Sequence, residues 1–194
     1  MMEDAERTGI FVEKMADFFR YNVKKGQEDA TLGEELEAVD NYIYILNVRF
    51  AGDIHFSKEV DESLENVRMP SMILQPVVEN VIKHAFRNLG RPGLAGISVR
   101  KKKDNLEITV YDNGCGIEKE ELDKIQHNLE ADAGQHEFGS IGIQNVNHRL
   151  KLLFGEEYGL RIASISDKGT AVKVVLPALY KEEMTEYVQT ADNG

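Results

Sequence analysis

The stretch LQPVVENVIKHAF, residues 74–86, concentrates residue types that can handle a phosphate-bearing ligand. At about 100° per residue, Leu74, Val77, Val78, Val81, Ile82 and Ala85 share one side of a helix. Asn80, Lys83, His84 and Arg87 fall on the other side, with His84 near the border. An amide oxygen is a hard, neutral ligand for Mg2+, and an ammonium about one turn away is a point charge for a phosphate oxygen. A solvated polar face has the same composition, so the helix by itself leaves both readings open. Two glycine-bearing turns follow. The strand LEITVY runs into DNGCGI, which places Asp112 at a strand end with Gly114 and Gly116 just beyond. A carboxylate there can accept a hydrogen bond from an exocyclic amino group such as that of adenine, and the glycines let the backbone bend closely round a flat ligand. Asn-Gly also marks ordinary turns. In GSIGIQNV, residues Gly139, Ser140, Ile141 and Gly142 open a helix, where free N–H groups seat phosphate.

The elements that must position these residues are legible from hydrophobic spacing. Ile10, Phe11, Met15, Phe18, Phe19 and Val23 predict a first helix over about residues 4–25, followed by a polar linker, KKGQEDA. Thr31 and Glu34 form a capping box for a second helix, whose Leu32, Leu36, Val39, Ile43, Leu46 and Phe50 make a narrow packing seam. Ile54, Phe56 and Val60 mark a half-buried strand, and a helix is expected over 71–87. Ile97 and Val99 pair across KKDN with Leu106, Ile108 and Val110. A helix near 118–129, a loose stretch ADAGQHEFGSIG, and a helix carrying Ile143, Val146, Leu150 and Leu153 come next, with Gly155 as the stop. YGLRIASIS and TAVKVVLP, joined by DKG, close the pattern, and the tail beyond Pro177 is expected to fray. Strand pairs joined by tight turns imply a mixed, mostly antiparallel sheet with helices on one face, an α+β two-layer sandwich.

Composition removes other classes. The chain has 194 residues, 42% of them hydrophobic, enough for one ordinary domain with an appendage. The expected division is 1–50 helical, 51–180 the α/β domain and 181–194 a polar tail. A single cysteine, Cys115, precludes an internal disulfide framework and suits a reducing cytoplasm; a small buried residue is the expectation for it. Five histidines show no zinc spacing; His136 and Glu137 begin an HExxH pattern that no second histidine completes. A formal charge of −11 repels phosphate backbones and anionic membranes, so no direct nucleic-acid or membrane contact is expected. The one dense basic run, Arg100 to Lys103, is expected to be a solvated strand end. No apolar run approaches the roughly 18 residues needed to span a bilayer.

Taken in order, ENVIKH, DNGCGI, GSIGIQNVNHRL and GTAVKVVLP resemble the N box and glycine boxes of the ATPase superfamily that includes histidine kinases, gyrase, MutL and a class of heat-shock chaperones. The Walker A pattern is absent. LGEELEAVDNYIYILNVRF followed by MPSMILQPVVENVIKHAF is similar to the YesM/LytS type of sensor histidine kinase, and the resemblance runs from about Phe18 to Pro177. It implies the Bergerat-type ATP-binding fold, with ATP and Mg2+ as ligands. By that resemblance Asn80 binds the Mg2+, Lys83 and His84 face the phosphates and nucleotide, and Asp112 reads the adenine amino group. Gly114 and Gly116 shape the adenine pocket, Gly139 to Gly142 cradle phosphate beneath a mobile lid within ADAGQHEF, and Thr170 lines the pocket. Glu79 is open between a catalytic role and a solvated or structural carboxylate.

The resemblance also implies what the chain acts with: a second kinase subunit, met through the N-terminal helices, and a response regulator. It implies a cytoplasmic piece of a membrane-anchored sensor. The phosphate acceptor of this branch is a histidine in a Pro-His-Phe context, and His55, His84, His127, His136 and His148 all lie elsewhere. The expectation is therefore a piece that starts after the acceptor and binds ATP without labelling itself. Hydrolysing relatives carry an acidic residue one turn before the asparagine, where this chain has Pro76. That favours phosphoryl transfer to a protein, by positioning and charge neutralisation, over dedicated hydrolysis. Two other readings stand beside it. One is an ATP-driven conformational machine, which steady-state turnover would favour; the other is a nucleotide-sensing interaction module, which would not label a helix supplied in trans.

Overall fold

In the computed structural model the described residues are 2–24, 29–49, 54–85, 93–130 and 141–180. The apolar/polar alternation of Leu106, Ile108 and Val110 becomes a strand, β5 (Asn105–Asp112), with those three side chains fully buried and Glu107, Thr109 and Tyr111 on the opposite, half-buried face. Its neighbours are β4 (Gly93–Lys102) and β7 (Gly169–Pro177), both antiparallel to it. β2 (Ile54–Glu59) adds parallel to β4, and β6 (Gly159–Ile165) adds antiparallel to β7, giving the order β2-β4-β5-β7-β6. The sheet is mixed and mostly antiparallel, as expected. The basic run at the end of β4 lies beyond Ser98, where the pairing with β2 stops, and is exposed, with Arg100 beside Glu59 and Lys102 beside Glu107.

Helices α3 (Leu74–Ala85), α4 (Lys119–Glu130) and α5 (Ile141–Phe154) pack on one face of this sheet. Val77, Val78, Val81 and Ile82 of α3 share a buried cluster with Ile97, Val110, Val172 and Val174 of the strands and with Ile143, Val146 and Leu150 of α5. α5 stops at Gly155, which has φ +110° and whose N–H reaches the Lys151 carbonyl at 2.8 Å.

Two helices precede the sheet, α1 (Met2–Lys24) and α2 (Leu32–Arg49). The capping box is present: Glu34 N–H donates to Thr31 Oγ1 at 3.2 Å and Thr31 N–H donates to Glu34 Oε2 at 2.9 Å. The remaining free donors at this end, Leu32 and Gly33 N–H, reach the Val67 and Glu65 carbonyls. Leu32, Leu36, Val39 and Ile43 join the same buried cluster as the sheet, so α2 packs as part of the α/β core. α1 is different: none of its described side chains, residues 5–23, is fully buried.

Three expectations need correction. The end of the supposed linker forms a strand, β1 (Asp29–Thr31), antiparallel to β3 (Arg68–Pro70). Three residues are too few for an alternation to register, and the pair is held by Ala30 and Met69, both fully buried, and by an Arg68–Asp29 ion pair at 3.8 Å. α3 begins at Leu74 rather than Ser71, because Met72 takes φ +60° and the chain bends there. The tail remains attached beyond Pro177: Ala178 N–H bonds the Asp104 carbonyl, Arg68 N–H bonds the Leu179 carbonyl, and both residues are buried.

Candidate functional site

β5 ends at Asp112, which is paired in register with Ala95. The carboxylate is half-buried, and each oxygen meets a backbone donor: Gly114 N–H to Oδ1 at 2.6 Å and Thr170 N–H to Oδ2 at 3.2 Å. The first bond closes an Asx-type turn, and the second ties the start of β7 to the end of β5. Burial raises the Asp112 carboxyl above the usual aspartate range, and the two N–H groups pull it part of the way back. Each oxygen keeps a lone pair for a further donor.

The turn after Asp112 is pressed between two elements. A methyl group on Gly114 would lie 2.4 Å from the Ala85 carbonyl oxygen, and Cys115 N–H donates to that same oxygen at 3.2 Å. Gly116 has φ +66°, and a Cβ there would meet the Ile165 carbonyl oxygen at 2.1 Å. Asp167 N–H closes this side by donating to the Cys115 carbonyl at 2.7 Å. The close approach that requires glycine at both positions is thus made within the chain, to the C-terminal end of α3 and to the β6–β7 turn. Cys115 itself is exposed, which corrects the expectation of a buried thiol: its backbone is the anchored part.

Thr170 lies at the floor of this turn. Ser164 Oγ donates to the Gly169 carbonyl at 2.9 Å and accepts from Ile117 N–H at 2.9 Å. Its single proton being used, the 2.8 Å contact with Thr170 Oγ1 has the threonine as donor, which leaves that oxygen its acceptor lone pairs. Asp112, Thr170 and the 112–117 turn therefore form one hydrogen-bonded unit against the end of α3.

On α3, Asn80 is half-exposed and Glu79 and Lys83 are exposed. Glu79 is close enough to Tyr42 of α2 for its charge to add to burial in pushing that phenol up to about 12. At the other end of α3, a Cβ on the exposed Gly142 would stand 3.7 Å from the Pro76 side chain, so the first turn of α5 passes beside the first turn of α3. Gly139, Ser140, the ADAGQHEF stretch and the side chains of His84 and Ile141 lie outside the described residues.

Sequence reasoning missed the residues that brace this site. Asn113 bonds both ways with Leu94, extending β4 to the turn. Asn147, 4% exposed, donates to the Leu129 carbonyl and accepts from Leu160 N–H, each at 2.7 Å, joining α4, α5 and β6. Glu35, 1% exposed, accepts from the N–H groups of Met72, Ile73 and Leu74 at 2.5, 2.9 and 2.7 Å. Asn147 and Glu35 sit among apolar positions of their helices, and a polar group on a buried face must find hydrogen-bond partners. That was the available signal.

Residues 68–179 match the family described as histidine kinase-, DNA gyrase B-, and HSP90-like ATPase, and residues 1–54 match the histidine kinase family. The chain belongs to this ATPase family, whose ligand class is nucleotide. Sensor histidine kinase YesM of Bacillus subtilis is 33% identical over 86% of this chain and 27% of its own length. Sensor protein LytS of Oceanobacillus iheyensis is 34% identical over 90% of this chain and 30% of its own. The chain spans less than a third of the length of these relatives. Among solved structures, the histidine kinase domain of an Erythrobacter litoralis blue-light activated histidine kinase aligns over 94% of this chain and 78% of its own, with a TM-score of 0.55 at 18% identity. The catalytic domain of histidine kinase ThkA aligns over 79% and 97%, with a TM-score of 0.52 at 19% identity. The fold is that of histidine kinase catalytic domains. Among the described residues, no helix is long and apolar enough to cross a membrane.

Proposed function

We propose that this chain is the ATP-binding catalytic part of a two-component sensor histidine kinase, with Asp112 as the adenine reader. The observation that carries the reading is the half-buried Asp112 carboxylate, fixed by backbone donors from the following turn and from β7, in a chain of this ATPase family. A carboxylate held in this way is preorganised to accept a hydrogen bond from an exocyclic amino group, and the Thr170 hydroxyl beside it keeps acceptor capacity. Gly114 and Gly116 set the shape of that end of the pocket. Ile141 and Gly142 open α5, and together with Gly139 and Ser140, which precede them in sequence, they would hold phosphate on backbone N–H groups.

Asn80 and Lys83 stand on the polar side of α3, with His84 next in the chain. The Asn80 amide oxygen fits Mg2+, which takes one or two protein oxygens and completes its shell with phosphate and water. Among the described residues no acidic cluster could hold a cation alone, consistent with a metal that arrives with its nucleotide. When bound, Mg2+ neutralises charge on the β- and γ-phosphates. Lys83 adds a point charge, and Glu79, exposed one residue from Asn80, is the carboxylate nearest in sequence to the reacting end. In the transfer, an imidazole nitrogen of an acceptor histidine bonds to the γ-phosphorus. The bond to the bridging oxygen breaks, and ADP leaves with its electron pair. A response regulator then takes the phosphoryl group, and the N-terminal helices meet a second subunit.

The first test is thermal unfolding with and without Mg2+ and a non-hydrolysable ATP analogue. At about 100-fold over the dissociation constant, binding should stabilise the wild type by roughly 2.7 kcal/mol, and Asp112→Asn should lose most of that gain. An equal shift in the variant would remove Asp112 as the adenine reader; no shift in the wild type would remove the nucleotide reading.

A further inference from the structure

The N-terminus of α3 presents free backbone donors that most helices satisfy with a serine, threonine or aspartate one or two residues earlier. α3 is not built that way. Its acceptor is Glu35, on α2 and 37 to 39 residues away, which takes the N–H groups of Met72, Ile73 and Leu74 on its two oxygens. The neighbouring Ser71 carbonyl is held from a third direction, by Arg149 of α5 at 2.5 Å. A buried carboxylate is held only at a desolvation cost that its hydrogen bonds must offset, and a local cap would satisfy the same donors without burying a charge. What the distant cap adds is a rigid tie between α2 and the helix that carries Asn80, six residues or about 9 Å along α3 from Leu74.

Glu35 also accepts a hydrogen bond from the Tyr21 hydroxyl of α1. α1 is the helix with no fully buried described side chain, and it lies on α2 through that bond and through Phe18 stacked on Tyr42 at 5.9 Å. The hydrogen-bonded link from this helix therefore ends at the turn into α3, on the N–H groups of Met72, Ile73 and Leu74.

We propose that Glu35 is the positioning residue for α3, and that Tyr21 makes this hold depend on where α1 lies, so that displacement of α1 alters nucleotide binding. The proposal rests on the nucleotide reading above. A shift of α1 withdraws one of the four donors that share the buried carboxylate. The remaining three belong to the bend at Met72 and Ile73 and to Leu74, the first residue of α3, and the balance among them sets the rotation and axial position of its first turn.

The test compares the wild-type chain, Tyr21→Phe, Glu35→Gln and the double variant. Dissociation constants for the Mg2+ complex of a non-hydrolysable ATP analogue are measured by calorimetry, together with amide exchange at Met72, Ile73 and Leu74. Tyr21→Phe, which keeps the ring and removes only the donor, should change affinity by about fivefold, the lower end of ordinary coupling between sites. It should also change exchange at the three amides, and the affinity effect should vanish in the Glu35→Gln background. A purely structural role would lower the unfolding midpoint and leave the affinity of the folded protein within about twofold. That result in Tyr21→Phe, with wild type binding normally, overturns the proposal. So does an affinity effect of undiminished size in the double variant. Failure of the wild type to bind overturns the nucleotide reading and the proposal with it, and is told apart because it precedes any substitution.

Discussion

At Asp112 two opposing effects meet on one side chain. Burial raises its pKa, and hydrogen bonds from Gly114 and Thr170 lower it, with burial the larger. A folded-state pKa above the unfolded value means that, as pH rises through the carboxylate range, the unfolded chain gives up its proton first. The folded state then binds more protons, and the stability contributed at this position falls with rising pH from the ordinary aspartate value up to the raised one. A nucleotide amino group bonded to the carboxylate prefers it ionised, which reverses the sign for binding: affinity should weaken as pH drops through the raised pKa. Binding measured from about pH 7 down to pH 4 in buffers of different ionisation enthalpy should show proton release that Asp112→Asn abolishes. Proton uptake on binding would contradict the assignment. The position of Asp112 was legible, because strand alternation ends there and Asn-Gly follows. Its bond to Thr170 was not, since that depends on β7 lying beside β5, a pairing of residues 58 positions apart. Gly114 and Gly116 show the same limit: the need for glycine was visible, while the surfaces that impose it, Ala85 and Ile165, come from other elements.

Among the elements, those with a full hydrophobic period were recoverable and those without one were not. α2, α5 and the two hairpins carry four or more apolar positions each, and their seams are the buried faces observed. β1 and β3 are three residues long, so no period exists to detect, and only their mutual pairing makes them strands. The start of α3 was misplaced for a related reason: its cap comes from Glu35, which no local motif announces. Where the cap was local, as at Thr31 and Glu34, the reciprocal bonds appeared as the motif requires. Removing that acceptor with Thr31→Ala should cost about 1 kcal/mol. Urea unfolding should show a lower midpoint with an unchanged slope, because the helix is weakened without altering the surface exposed. A midpoint equal to that of wild type would mean that the Val67 and Glu65 carbonyls, which already take the Leu32 and Gly33 donors, hold this end without help.

For the whole molecule the question is whether phosphoryl transfer has a target. The described histidines with side chains in view, His55, His127 and His148, are exposed on β2, α4 and α5. Each lies on an element of the α/β domain, and none stands in a Pro-His-Phe context, so on the proposed reading the acceptor is expected to be supplied from outside these elements. Pro76 occupies the position, one turn before Asn80, where a water-activating carboxylate would stand, and its side chain lies against the first turn of α5. On the proposed reading this place offers no base for water, and transfer to an outside nucleophile is the expected reaction. Incubated alone with radiolabelled ATP, the chain should neither label itself nor turn over ATP at an appreciable rate. With an acceptor helix bearing a Pro-His-Phe segment supplied in trans, label should pass to that helix in an acid-labile form, and Asn80→Ala should reduce the transfer by at least about 100-fold if its amide completes the metal shell. Steady ATP hydrolysis without acceptor would favour the conformational-machine reading, and tight nucleotide binding with no transfer to any acceptor would favour a sensing module.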